Sequence, residues 1–185
     1  MNRDRLIADH RRHRFEDLVA EVYEPIQRYV RRRADPGDMD DIVSETMLTL
    51  WRRLDDVPAD ALAWTYGVAR RQLANHRRAA RRHLRLVRRA DREPPPPQAS
   101  DHPLDPELHT AMSALKEADR ELLHLWAWER LEPAEIAVVL GLTPNAASIR
   151  LHRAKKRLGE LLEIARKDEA LAGHSHRESS KEEES

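Results

Sequence analysis

Apolar side chains recur at three- and four-residue spacing along most of this chain. Phe15, Leu18, Val19, Val22, Ile26 and Tyr29 form one such stripe. It predicts a helix over residues 14–33, kinked where Pro25 interrupts the hydrogen-bond ladder. The run "ADPGD" at 34–38 stops that helix, because proline and glycine together favour a turn. Asp38 is placed to cap a second helix over 39–54, with Asp40 and Asp41 near its positive end. That helix repeats Ile42, Val43, Met47, Leu50, Trp51 and Leu54. A short loop, "DDVPAD", leads into a long helix over 61–89.

"EPPPPQASDHPLDPE" follows at 93–107, with six prolines that remove backbone donors and forbid helix. Four in a row favour an extended, semi-rigid spacer. The expected organisation is therefore a helical module over 1–92, a linker over 93–106, a second helical module over 107–170 and a disordered polar tail over 171–185. The second module opens with a helix carrying Leu108, Met112 and Leu115. A helix over 118–129 follows, with Leu122, Leu123, Leu125 and Trp126.

Two short helices are then predicted in "PAEIAVVLGLTPNAASIRLHRAKKRL", 133–158. Pro133 and Pro144 suit first helical positions, Gly141 a left-handed cap, and Thr143 an N-cap. Ile136, Ala137, Val139 and Leu140 give the first helix an apolar face. The second carries Ala146, Ala147, Ile149 and Leu151, then Arg150, Arg153, Lys155, Lys156 and Arg157. This is the pattern of a helix-turn-helix, whose second helix enters the DNA major groove. In that reading Ser148, Arg150 and Arg153 are the base readers, and Lys155, Lys156 and Arg157 contact phosphates.

Composition supports an all-α fold: Ala, Leu, Arg and Glu dominate and all favour helix. Of 185 residues, 36% are charged and 4% aromatic, so no large aromatic core is available. The formal net charge is zero, yet the charges are segregated. Residues 35–60 hold eight acids against two arginines, net −6. Residues 61–92 hold ten arginines against one aspartate, net +9, and residues 140–167 hold seven basic and two acidic groups, net +5. Such segregation calls for partners of opposite charge.

No cysteine is present, which excludes disulfide and thiolate chemistry. No apolar run approaches the roughly 20 residues that span a bilayer. The N-terminus lacks the apolar core of a signal peptide, so a soluble cytoplasmic protein is expected. Three other readings fit less of the chain. His10 with His13, or His174 with His176, have ligand-like spacing, but no HExxH or CxxC pair completes a metal site. No metal, cofactor or catalytic residue is therefore expected. Membrane-surface binding by the arginine helix meets a thin apolar face, Leu73, Leu84, Leu86 and Val87. An ordinary helix-turn-helix regulator explains the second module but leaves the acidic helix and the arginine helix without a task.

Three stretches account for both modules at once. "DMDDIVSETMLTLWRRL", "AWTYGVARRQLANHRRAARR" and "LKEADRELLHLWAWERLEPAEIAVVLGLTPNAASIRLHRAKKRL", in this order and split by a proline linker, resemble regions 2 and 4 of bacterial RNA polymerase sigma factors of the extracytoplasmic-function class. The resemblance implies a non-enzymatic, monomeric initiation factor. Its acidic helix would dock on the largest subunits of core polymerase through Asp41, Ser44, Glu45, Met47 and Trp51. The arginine helix would open and read the −10 element, duplex and single-stranded, with Trp64, Tyr66, Arg70, Arg71, Asn75, Arg77, Arg78, Arg81 and Arg82. The loop over 56–61 would hold a flipped base. Thr143, Asn145, Ser148, Arg150, Arg153, Lys155, Lys156 and Arg157 would engage the −35 element. An anti-sigma factor is a further partner the resemblance implies.

Overall fold

The computed structural model describes the backbone of residues 3–87 and 105–182, with side chains over 5–82 and 105–167. Residues 88–104, which hold most of the expected linker over 93–106, lie outside the described residues. Among the described residues the elements are helical: α1 (Arg3–Arg31), α2 (Met39–Arg52), α3 (Ala61–Val87), α4 (Pro106–Ala114), α5 (Glu117–Ala127), α6 (Pro133–Leu140) and α7 (Pro144–Glu182), with 3-10 turns at Pro36–Asp38 and Leu54–Asp56. The chain forms two compact units, residues 1–101 with 135–143, and residues 102–134 with 144–185.

In the first unit α1, α2 and α3 pack on one another. Their apolar stripes meet in a core that includes Val22, Ile26, Tyr29 and Val30 of α1, Ile42 and Leu50 of α2, and Ala63, Val68 and Ala69 of α3. Thr46 and Thr65 are also fully buried. Each hydroxyl donates to the carbonyl four residues back, Ile42 and Ala61, at 2.7 Å. Both polar groups are thereby satisfied without leaving the apolar layer. The segment 135–143, expected in the second module, groups with this unit. The main chain at Val139 stands about 3.5 Å from where a Cβ on Gly67 would sit.

α1 starts earlier than expected. It begins at Arg3, some ten residues before the apolar stripe, and it runs unbroken with Pro25 inside it. Two arginines tie this half of α1 to the turn after α2, Arg14 lying 3.5 Å from the Asp55 carboxylate. Arg11 donates to an Asp55 carboxylate oxygen at 2.7 Å and to the Trp51 carbonyl at 2.8 Å. Asp38 occupies the N-cap position of α2 but makes no side-chain cap bond; the preceding 3-10 turn delivers the chain instead.

In the second unit α4 and α5 both pack on α7. Asp105 caps α4, its carboxylate accepting from the Glu107 amide at 3.1 Å, with Pro106 as first helical residue. After α5 the chain turns through Arg130 at φ +57°. The expected glycine cap of α6 is present: Gly141 has φ +66°, and the Leu142 amide donates to the Ala137 carbonyl at 2.9 Å, closing a Schellman turn. α7 runs to Glu182, beyond the expected end of the second module at residue 170. The side chains of His174 and His176, and residues 183–185, lie outside the described residues.

Candidate nucleic-acid and protein interfaces

α2 buries Ile42, Val43, Thr46 and Leu50 and turns its other side outward. At about 100° per residue, Ser44, Met47 and Trp51 share one outward flank, Asp41 and Glu45 share the other, and Leu48 lies between them. Leu48 is 46% exposed, an isolated apolar side chain among carboxylates. Tyr23 of α1 joins Asp40, Val43, Ser44 and Met47 around an open cleft of about 560 Å³. Trp51 is held from behind: its ring meets Phe15 edge-on at 5.1 Å, with the Arg11 guanidinium 5.2 Å from its centroid. On the other flank, Glu45 pairs with His76 of α3 at 3.3 Å. The five residues expected to dock polymerase therefore form two flanks, and Tyr23 and Leu48 belong with them.

α3 carries the positive field from Arg70 onward. Arg70, Arg71, Arg78, Arg81 and Arg82 are exposed. Twelve residues of helix separate the first from the last, about 18 Å along the axis, enough to follow several phosphates. Asn75 is exposed beside them, accepting from Arg78 at 2.7 Å and donating to Gln72 at 3.3 Å; Gln72 in turn donates to Thr49 of α2 at 3.2 Å. Arg77 differs from the others. It donates to the Arg33 carbonyl at 3.0 Å and so ties α3 to the end of α1.

The two aromatic residues of the −10 expectation separate. Trp64 is half-buried, with the Arg53 guanidinium 5.4 Å from its ring centroid. Tyr66 is 3% exposed and packs on Tyr29 at 5.1 Å. It is a core residue, and its assignment as a base-contacting aromatic is corrected: a ring with no free face cannot stack on an incoming base. The loop before α3 does border a cleft. Val57, Pro58 and Ala59, with Leu54 and Ala61, face Arg14, Leu18 and Glu21 of α1 around about 320 Å³. Arg14 and Glu21 set one cation and one carboxylate at this open cleft. Arg14 and Glu21 were not anticipated, because they lie some 40 residues from the loop in sequence.

On α7, Ala147, Leu151 and Ala154 are buried. The opposite face presents Asn145, Ile149, His152, Arg153 and Lys156, all exposed. Ser148 and Arg150 are exposed on the two flanks of that face, and Thr143 is exposed in the turn. Two of the expected phosphate contacts have internal partners. Arg157 pairs with Asp119 of α5, and the Lys155 ammonium sits 3.4 Å from the Trp126 ring centroid. Lys156 lies 3.9 Å from Glu160 at the weaker i,i+4 spacing. Ile149 and His152, absent from the expected readers, share this exposed face. The spacing 145, 149, 152, 156 marks this face in the sequence once the buried residues opposite are known.

Among the described residues no cluster of three or more His, Cys, Asp or Glu is arranged to hold a metal, and no described helix is long and apolar enough to cross a membrane.

Comparison with known proteins fits this division of surfaces. The family model for Sigma-70 region 2 matches residues 18–83, and that for Sigma-70, region 4 matches residues 106–158. A curated relative, the ECF RNA polymerase sigma factor SigF of Caulobacter vibrioides, is 35% identical over 150 residues, 76% of this chain and 80% of that protein. The ECF sigma factor ShbA of Streptomyces griseus is 30% identical over 167 residues, covering 80% and 86%. Among solved structures, the sigma factor RpoE of Bartonella quintana, crystallised with the anti-sigma factor NepR, shares the fold at a TM-score of 0.59 and 20% identity, covering 81% of this chain and 97% of that one. An ordinary helix-turn-helix regulator would leave the region 2 match unexplained. The chain belongs to the extracytoplasmic-function class of sigma-70 family RNA polymerase sigma factors, the proteins that direct promoter-specific transcription initiation.

Proposed function

We propose that the outward side of α2 joins sigma-free core polymerase while α3 and α7 of the same molecule engage the −10 and −35 elements. The observation that carries this reading is the segregation of chemistry within the first unit. Met47, Leu48 and Tyr23 with the flanking acids make a mixed apolar and acidic surface on α2. The exposed arginines occupy α3 from Arg70 onward. Apolar groups at the centre of a protein interface supply affinity, and rim charges supply orientation and on-rate. Cations along a helix neutralise phosphates and release counterions. The cleft under the 57–60 loop receives an unstacked base, whose flipping costs a few kcal/mol that contacts in the cleft must offset. The chain acts in the cytoplasm, where polymerase and promoters meet, and contributes binding and positioning rather than a bond-making step. A protein anti-sigma partner belongs to this reading, by analogy with the Bartonella complex.

The position of Arg153 on the open face of α7 supports reading it as a base reader, and the flank position of Arg150 supports a phosphate contact. With holoenzyme and duplexes carrying either the preferred −35 element or a scrambled one, Arg153→Ala is expected to lose about 1–3 kcal/mol on the preferred duplex only. Arg150→Ala is expected to weaken both duplexes alike and to lower the salt slope by about one. If neither variant alters binding to any duplex, α7 is not the upstream reader.

A further inference from the structure

Ile149 is 44% exposed on the N-terminal part of α7, although the sequence pattern places it among the core-forming residues. Its neighbours on the same face are Asn145 one turn before and His152 and Arg153 one turn after, all exposed. Directly opposite, Ala147, Leu151 and Ala154 fill the packed side. The isoleucine therefore stands at the middle of a polar face, at the depth where side chains meet base edges. Cations surround it, with Arg150 and Arg153 close by and Lys156 two turns on, so the partner this face fits is a polyanion. Exactly one apolar group is displayed in the major groove by any base, the 5-methyl of thymine.

Resting on the reading of α7 as the upstream reader, we propose that Ile149 selects a thymine in the −35 element by covering its 5-methyl group. Asn145 and His152 bracket that position and face the adjacent base pairs. A β-branched side chain on a helix has one strongly preferred χ1 rotamer, so the methyl-binding surface is already formed in the free protein.

The test uses the full chain assembled with sigma-free core polymerase. A duplex library with a randomised upstream segment is selected for binding, and the enriched sequence is remade with each thymine replaced in turn by deoxyuridine, which deletes only the methyl. At one position the replacement is expected to weaken wild-type binding about fourfold, the worth of one buried methyl-sized group. Ile149→Ala should bind the thymine and uracil duplexes equally at that position, and Ile149→Val should restore most of the preference. Indifference of the wild type to every replacement would overturn the proposal while leaving α7 as the upstream reader. An equal loss by Ile149→Ala on thymine and uracil duplexes would also overturn it, because the methyl preference would then persist without the isoleucine. Failure to enrich any sequence would instead remove the underlying reading of α7.

Discussion

Met47→Arg is expected to lower affinity for sigma-free core polymerase at least about thirtyfold, the loss of a central interface residue worth 2 kcal/mol or more. Met47 is half-buried at the edge of the cleft it shares with Tyr23, Asp40, Val43 and Ser44. Its flexible thioether is suited to fill such a gap against a partner. Arginine at this site would carry an unpaired charge into the desolvated centre of the interface, where its solvation is lost without compensation. Met47 is not part of the α2 core of Ile42, Val43, Thr46 and Leu50, so thermal unfolding of the variant should stay close to wild type. Met47→Leu should retain binding. Equal affinities of wild type and Met47→Arg for core polymerase, measured by titration at one salt concentration, would remove this flank of α2 from the interface.

Replacing Arg71, Arg81 and Arg82 together by glutamine is expected to flatten the salt dependence of promoter binding. Each phosphate contact contributes about 0.7–0.9 to the slope of log K against log salt, so the triple variant should lose about two to three from it. All three are exposed on α3, which keeps the substitutions from disturbing the packing. The loss should be largest at low salt and similar for preferred and scrambled sequences, because phosphates carry no sequence information. Arg77 is left out on structural grounds: its bond to the Arg33 carbonyl holds α3 against α1. An unchanged slope would mean that this face of α3 does not follow the DNA backbone.

Much of this architecture was legible in the residues. Apolar spacing located every packed helix, and Gly141 before Thr143-Pro144 marked a turn that the backbone realises at φ +66°. Local signals of this kind depend only on near neighbours in sequence. What escaped depends on distant ones. Arg11, in the early turns of α1, meets Asp55, 44 residues away. Tyr66 reads as an aromatic beside a basic run until Tyr29 is found against it. Arg157 and Lys155 read as free cations until α5 brings Asp119 and Trp126 beneath them. Ile149 shows the converse case: an apolar residue in a helical stripe is assumed to be buried, and only the packed positions of Ala147, Leu151 and Ala154 reveal that it points away.

Run-off transcription with purified sigma-free core polymerase on a fragment library from the same genome tests the central claim most directly. The account predicts defined transcripts that appear only when the chain is added, from templates sharing an upstream and a downstream element, and that vanish with Met47→Arg. A chain that binds such duplexes by itself, yet never co-elutes with core polymerase and yields no transcript from any template, would contradict it.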